Sequence, residues 1–356
     1  MIKNKLIILL TSLLILNSCN EKNGKSEPSP TKSEKKLEIP ESNPGNKQHR
    51  LLLDSERQIS HVVRTIFQDS EGTFWFGTQN GAFKLQGDSL IPIDKIISES
   101  GKGVTIKDIT EGKDGKIWFG HSDGVSSIDK DIVTNYYVSD GLISNDVWSI
   151  EADNQGNIWI GTIDGTSVFN GKNFAKFSLP EGKTDSTLGV SSPKIVHNIY
   201  QNSKGKLWFS SNAGLFSYEN NSLTNVSENL GIKTNFINEI FEDKDGELWV
   251  STKDGLYLLK DKRAENITKG IIKTGKGIGS IAKDKDGNLW LVSDQHFLYT
   301  YDGEKLVEFE KTENNKGPVI FEIFKDRDNR LWFVGFGGAF RLENGKFINV
   351  TRNGPW

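Results

Sequence analysis

Seven positions, each eleven residues before one of seven regularly spaced tryptophans, carry side chains that could bind a ligand. Each lies between an aliphatic position and an isoleucine that every copy retains, yet it is cationic, aromatic or polar in six copies. Such a mixture could hold a sugar, through stacking and hydrogen bonds, or an anion. The same side chains could instead fill the centre of the fold as ordinary core. The seven residues are Arg64, Lys107, Trp148, His197, Asn238, Gly279 and Phe321.

A second group of candidates lies in the loops that follow the tryptophan strands, which should open on the same face. His121 or His197 would be the general base if the protein were an enzyme, because imidazole suits proton transfer near neutral pH. The loop Ser293–His296 lacks the glycine of its counterparts, and an insertion at Leu179–Pro193 lengthens the fourth copy. Either irregularity could mark a binding face or be an unconstrained surface turn. The loop candidates are His121, Asp123, Asp164, Asp254, Asp294 and His296.

Several kinds of chemistry are not supported by the sequence. The five histidines are scattered, which does not favour a metal centre. The Asp243–Gly246 turn resembles the start of a calcium loop but has no closing glutamate. No phosphate-binding loop or nucleophile motif is visible, so we expect no metal and no cofactor. The mixed formal charge of −3, without a basic stripe, argues against a nucleic-acid partner.

The elements that position these residues come from an internal repeat. Tryptophans recur at intervals of 43, 41, 49, 41, 41 and 42 residues. An isoleucine stands nine residues before each, and a glycine three residues before each of the first six. A period near 41 is typical of propellers, solenoids and arrays. The seven tryptophans are Trp75, Trp118, Trp159, Trp208, Trp249, Trp290 and Trp332.

Within each repeat, four short apolar stretches are separated by turn residues, and no window sustains helical spacing. Four antiparallel strands repeated radially describe a propeller blade. The sequence therefore predicts an all-β, seven-bladed β-propeller of four-stranded antiparallel blades over residues 50–356, with each tryptophan filling the space between neighbouring blades. It leaves ring closure open, because Arg50–Leu53 could join the last blade or compete with Phe347–Val350 for its edge.

The chain begins with features of an exported lipoprotein. Residues 1–18 combine two lysines with an apolar run too short to span a bilayer, which indicates a signal peptide. The run ends in Leu16-Asn17-Ser18-Cys19, which resembles a bacterial lipobox, and Cys19 is the only cysteine in the chain. We expect Cys19 to carry a lipid. Residues 19–49 are polar and nearly free of aliphatic side chains, so they are predicted to be a disordered tether.

The repeat resembles a known family. Residues 141–162 are similar to the two-component regulator propeller repeat, and related copies occur at 63–81, 236–255 and 320–338. The resemblance implies a propeller outside the cytoplasm, usually the sensor of a bacterial hybrid histidine kinase and often responsive to glycans. No kinase or DNA-binding module is seen before Trp356, so we expect a stand-alone lipoprotein.

Two functions from different classes follow. The first is a lipid-anchored, monomeric module of the bacterial envelope that binds a small molecule, a glycan or an envelope protein. The second is a propeller lyase or hydrolase resembling streptogramin lyase, with a histidine as general base. A histidine paired with a carboxylate at the channel would favour the enzyme, and a funnel of cations and aromatic residues would favour the binding module.

Overall fold

The fold was analysed in a computed structural model, which describes residues 59–184, 191–273, 275–309, 319–351, 354 and 356. Signal peptide, lipid attachment at Cys19, tether and Arg50–Leu53 all lie outside the described residues. Seven separate four-stranded antiparallel sheets make a seven-bladed β-propeller, which confirms the predicted fold class. In every blade the strands are ordered along the sheet as they occur in the sequence.

The strands of the first four blades come directly from the predicted apolar stretches. Blade 1 contains β1 (Val63–Gln68), β2 (Phe74–Thr78), β3 (Gly81–Gln86) and β4 (Ser89–Pro92). Blade 2 contains β5 (Ile106–Glu111), β6 (Ile117–His121), β7 (Gly124–Asp129) and β8 (Ile132–Tyr136). Blade 3 contains β9 (Val147–Ala152), β10 (Ile158–Thr162), β11 (Gly165–Phe169) and β12 (Phe174–Phe177). Blade 4 contains β13 (Val196–Gln201), β14 (Leu207–Ser211), β15 (Gly214–Glu219) and β16 (Ser222–Asn225).

The remaining three blades repeat the pattern, and one short helix, α1 (Val226–Leu230), joins blades 4 and 5. Blade 5 contains β17 (Ile237–Glu242), β18 (Leu248–Thr252), β19 (Gly255–Lys260) and β20 (Arg263–Asn266). Blade 6 contains β21 (Ile278–Lys283), β22 (Leu289–Ser293), β23 (Phe297–Tyr301) and β24 (Leu306–Glu308). Blade 7 contains β25 (Val319–Lys325), β26 (Leu331–Phe336), β27 (Gly338–Glu343) and β28 (Lys346–Asn349). No helix among the described residues is long and apolar enough to cross a membrane.

The core lies between the blades, and each tryptophan packs against the next blade. Trp75 shares a buried cluster with Ile106, Ile109 and Phe119 of blade 2. The same contact recurs around the ring, so the prediction that tryptophan fills the space between blades is confirmed. Burial of an aromatic side chain of this size dominates the packing energy of such an interface.

The turn between the first two strands is built around an aspartate. In blade 5, Asp243 Oδ1 accepts the Asp245 and Glu247 amides at 2.9 and 3.0 Å. Its Oδ2 accepts the Trp249 indole N–H at 3.1 Å, and Gly246 takes the positive φ of 76° that the turn requires. The aspartate therefore fixes both the turn and the tryptophan wedge.

Blade 7 packs directly on blade 1 and closes the ring. Trp332 shares a buried cluster with Val63, Ile66 and Phe76. The Ile59 amide donates to the Thr351 carbonyl at 3.0 Å, and the Gly337 amide to the His61 carbonyl at 2.8 Å. Among the described residues, all four strands of blade 7 come from the C-terminal repeat, so closure uses packing and hydrogen bonds between complete blades.

Candidate functional site

A β-bulge places one residue of each innermost strand at the mouth of the central channel. In all seven blades the pairing of the first two strands shifts register between the conserved aliphatic residue and the residue two or three places later. The residue eleven before the tryptophan falls in that interval. Bulges re-aim side chains and recur beside functional sites. We call these seven residues the mouth ring: Arg64, Lys107, Trp148, His197, Asn238, Gly279 and Phe321.

The whole mouth ring lines one cavity of about 590 Å³. The cavity extends down the inner strands of blades 6 and 7, where Gly279 and Ala282 leave space. The structure thus brings together side chains that are as far apart in sequence as Arg64 and Phe321. None of the six loop candidates lines this cavity. The loop candidates are His121, Asp123, Asp164, Asp254, Asp294 and His296.

Neighbouring members of the mouth ring contact one another. The Arg64 guanidinium lies over the Phe321 ring, with its carbon 4.6 Å from the ring centroid. Lys107 Nζ lies 4.3 Å from the Trp148 centroid, and Trp148 meets the His197 ring edge to face at 6.0 Å. Both cations therefore make cation–π contacts with an aromatic residue of an adjacent blade.

The histidine of the mouth ring is held as a neutral group by blade 4 and the insertion. Its Nε2 lies 2.7 Å from Asn212 Oδ1, while Asn212 Nδ2 donates to the Ser192 carbonyl at 2.7 Å. Because the Asn212 amide nitrogen is already a donor there, the His197 nitrogen is the donor to its oxygen. Burial lowers the pKa of His197 to about 4. The described part of the insertion Leu179–Pro193 therefore helps to fix the orientation of the mouth-ring histidine.

His121 has a structural environment away from the channel. It is fully buried at the end of β6, with Nε2 3.0 Å from Ser126 Oγ. Its Nδ1 accepts the Asp123 amide at 3.3 Å, as a threonine hydroxyl does in the equivalent hairpin of blade 5. Burial lowers the pKa of His121 to about 3. Both histidines proposed as bases thus have non-carboxylate partners, Ser126 and Asn212, and pKa values far from the optimum for a base near neutral pH.

The other loop candidates stay in their hairpins. Asp164 and His296 are exposed, Asp123 is half-buried, and Asp254 Oδ2 accepts the Tyr257 hydroxyl at 2.8 Å. The irregular loop instead contributes Gln295, which lines the cavity and whose carbonyl accepts the Ile320 amide at 2.9 Å. In the sequence, the missing glycine of that loop could have indicated that Gln295 contributes to the site.

A second ring, directly below the mouth, joins the blades. Its members stand ten residues before each tryptophan, and we call them the belt. In six blades the belt side chain accepts a hydrogen bond from the amide of the conserved isoleucine in the next blade. The bond from Ile66 to Glu322, at 3.3 Å, closes the ring. The belt is Thr65, Asp108, Ser149, Asn198, Glu239, Ser280 and Glu322.

Sequence reasoning missed the belt, although all seven of its members can accept a hydrogen bond. Its three acids are deeply placed, and burial raises the pKa of Asp108 to about 6 and those of Glu239 and Glu322 to about 8. Repulsion from other belt acids adds to both glutamate shifts. Among the described residues, no group of three or more His, Cys, Asp and Glu side chains has the arrangement of a metal site.

Comparisons with known proteins agree with this architecture. A family model described as two component regulator propeller matches residues 58–80, 141–164 and 231–254. The chain carries two-component regulator propeller repeats. The matched segments contain the innermost and tryptophan strands of blades 1, 3 and 5, and so include mouth ring and belt positions of these repeats. No curated protein matches the sequence.

Solved structures share the fold at low identity. The extracellular domains of two B. thetaiotaomicron hybrid two-component systems, BT4673 and BT3049, are 18% and 21% identical, with TM-scores of 0.62 and 0.61. The matches cover 80% and 79% of this chain but only 38% and 40% of those chains. Virginiamycin B lyase from Staphylococcus aureus is 14% identical, with a TM-score of 0.59 over 80% of this chain and 95% of the lyase. Similarity both to extracellular domains of two-component systems and to an enzyme shows the fold alone.

Proposed function

We propose that this protein is a ligand-binding, sensor-like module of the bacterial cell envelope and that the channel mouth is its binding site. One observation carries the proposal: six side chains and one glycine, one from each of seven blades, converge on one cavity at a position whose residue type varies freely among the repeats. Cavities of this volume, with a few polar groups converging on them, are the usual form of small-molecule sites. Two-component regulator propeller repeats, and the fold shared with extracellular sensor domains, support a role outside the cytoplasm.

The candidate ligands are small molecules and glycan fragments, and the alternative is an envelope protein held by the loop face. A thermal-shift screen of the purified chain separates them, because a ligand that binds the folded state raises its melting temperature. We expect a hit from a small molecule or oligosaccharide and its loss in Trp148→Ala. His296→Ala, a loop variant outside the cavity, is the matched control and should keep the response. A response lost in His296→Ala but kept in Trp148→Ala would overturn the site.

We also propose that Cys19 carries a lipid that holds the protein at a membrane. The support is the lipobox-like Leu16-Asn17-Ser18-Cys19, in which the only cysteine of the chain occupies the acylated position. One acyl chain binds membranes weakly, so stable anchoring requires more than one. Cells grown with an alkyne-tagged fatty acid should label the wild-type protein, and Cys19→Ala should lose both the label and membrane fractionation. Labelling that persists in Cys19→Ala would contradict the proposal.

A further inference from the structure

The mouth ring has a charged half and a neutral half. Around the channel, Phe321 of blade 7, Arg64 of blade 1, Lys107 of blade 2 and Trp148 of blade 3 follow in order. Both cations occupy the middle of this arc, and each covers the aromatic ring on its outer side. The aromatic rings therefore hold the two cations beside each other in defined positions, so that they are pre-organised rather than freely mobile.

The positive charge of this arc is only partly compensated. Lys107 forms an ion pair with Asp146, which directly precedes β9. Among the residues that the structure describes, no carboxylate lies within salt-bridge distance of Arg64. Burial lowers the pKa of Arg64. Burial also lowers the pKa of Lys107, and repulsion from Arg64 adds to that effect, which indicates that the two cations act on each other. Side chains that repel each other in a partly desolvated site are stabilised by an anion between them.

The belt acids below the mouth do not replace that anion. Each is already an acceptor for the next blade, as Glu322 is for the Ile66 amide. Burial keeps Glu239 and Glu322 largely protonated near neutral pH, because it raises both pKa values to about 8. Asp108, whose pKa burial raises only to about 6, is largely ionised near neutral pH and disfavours a second negative charge deeper in the channel. The site is thus suited to one negative charge, located at the mouth.

The opposite half of the mouth offers room, and none of its mouth-ring members carries a charge; the nearby cation Lys253 lies over the Phe236 ring, with Nζ 5.1 Å from its centroid. His197 is neutral, Asn238 donates to the Ile278 carbonyl, and Gly279 has no side chain. Gln295 adds an amide at the edge of this half. A ligand with its charge on blades 1 and 2 can therefore place an uncharged polar body towards blades 5 and 6.

We propose that the mouth binds a small organic monocarboxylate, with its carboxylate between Arg64 and Lys107 and its neutral body beside Asn238 and Gly279. The inference rests on the proposed function, that this cavity is a ligand site, and adds the ligand class. A planar carboxylate matches the donor fork of a guanidinium, which a lysine alone cannot provide.

The test compares probes that differ by one group. D-glucuronate and D-glucose share a ring and differ in the carboxylate, and lactate keeps the carboxylate without the ring. Titration calorimetry with the full chain should show glucuronate binding at least 10-fold more tightly than glucose, because charge-assisted hydrogen bonds are among the stronger polar contacts. Glucuronate far ahead of lactate would identify a sugar acid, and equal affinities a simple carboxylate; both outcomes support the proposal.

Variants connect that preference to the arc. Arg64→Gln should weaken glucuronate about 10- to 100-fold and leave glucose unchanged. Lys172→Gln, which removes an exposed cation of blade 3, is the matched control and should change neither. Equal binding of glucose and glucuronate, or an unaffected Arg64→Gln, would overturn the inference while leaving a ligand site in place. The inference would also be overturned if none of the three probes bound while the thermal-shift screen found an uncharged ligand. If no small molecule bound at all, the proposed function itself would be wrong.

Discussion

The mouth ring and the belt are neighbours in the sequence of every blade, yet they obey different constraints. Six of the seven belt residues accept a hydrogen bond from the next blade, because the innermost strand is a sheet edge whose amides face the channel without a strand partner. A mouth residue is the extra residue of a bulge, and its contacts with the neighbouring blade differ from one blade to the next. Every belt position accordingly carries a side chain that can accept a hydrogen bond, whereas mouth positions range from Gly279 to Trp148. In each blade of the propeller, the variable mouth position and the structural belt position are thus consecutive residues.

Among variants of the belt and the mouth ring, the largest expected effect on stability comes from breaking the belt where the ring closes. Glu322→Leu removes the acceptor of the Ile66 amide and should lower the free energy of unfolding by about 1–3 kcal/mol. Glu322→Gln keeps an acceptor and should cost less than about 1 kcal/mol. Arg64→Gln in the mouth ring should also cost less than about 1 kcal/mol. Urea unfolding measures all three, and an Arg64→Gln as destabilised as Glu322→Leu would remove the distinction between the rings.

The belt should also make stability depend on pH. Burial raises the pKa of Glu239 and Glu322, and of Glu151 two residues after the belt position in β9, to about 8 from the usual value of 4.5. Each holds a proton when folded that it releases on unfolding, so its contribution falls as pH rises from 4.5 to 8. The lowered pKa values of His121 and His197 act in the opposite direction, but only below 6.5.

Between pH 6.5 and 8 the free energy of unfolding should therefore fall as pH rises, by about 1 kcal/mol per pH unit for each group that titrates. Glu239→Gln should flatten the slope, whereas the exposed control Glu304→Gln should leave it unchanged. Unfolding curves at several pH values measure it. A flat profile in the wild-type protein would mean that the belt acids are ionised in the folded state.

Much of the fold could be predicted because apolar residues and turn residues recur at the same positions in every repeat. Trp332 and Ile323 mark their blade as clearly as Trp75 and Ile66 mark the first. The predicted outer strand Phe347–Val350 agrees closely with β28 (Lys346–Asn349), from which it is displaced by one residue at each end. Each repeat shows the same pattern of buried apolar residues, so the seven copies support the predicted blade seven times over.

The site was harder to predict because its determinants lie between blades. The sequence nominated the mouth ring, but not the bulge that aims it or the stacking of Arg64 on Phe321, which joins residues from opposite ends of the chain. His121 was nominated from its residue type, although it replaces a hydroxyl residue in a buried hairpin. No local pattern distinguishes a histidine that caps a turn from one that faces a channel.

A smaller effect should come from completing the scaffold in blade 4. Trp208 Nε1 is buried and has no hydrogen-bond partner among the described residues, because Asn202 stands where five other blades have aspartate. In blade 3, Asp153 Oδ2 accepts the Trp159 indole N–H at 2.8 Å. Asn202→Asp should therefore raise the free energy of unfolding by about 1 kcal/mol. The reciprocal change Asp153→Asn should lower it, and thermal unfolding measures both. A destabilised Asn202→Asp would show that desolvation of the new charge outweighs the bond.

We expect the smallest effect on stability from a substitution that fills the cavity at the mouth. Gly279 has no positive φ, and a Cβ atom there would meet only Val292 Cγ1 at 3.6 Å and the Val292 carbonyl at 3.9 Å, which are ordinary contacts. Gly279→Phe should therefore change the free energy of unfolding by less than about 0.5 kcal/mol, a typical value for surface positions. Its ring should fill the neutral half of the cavity and abolish binding of any ligand found in the screen. Gly335→Ala is the contrasting variant, because its Cβ would overlap the Val319 backbone and should unfold the blade. Retained binding in a stable Gly279→Phe would place the ligand outside the channel, and a strongly destabilised Gly279→Phe would show that mouth and scaffold are not independent.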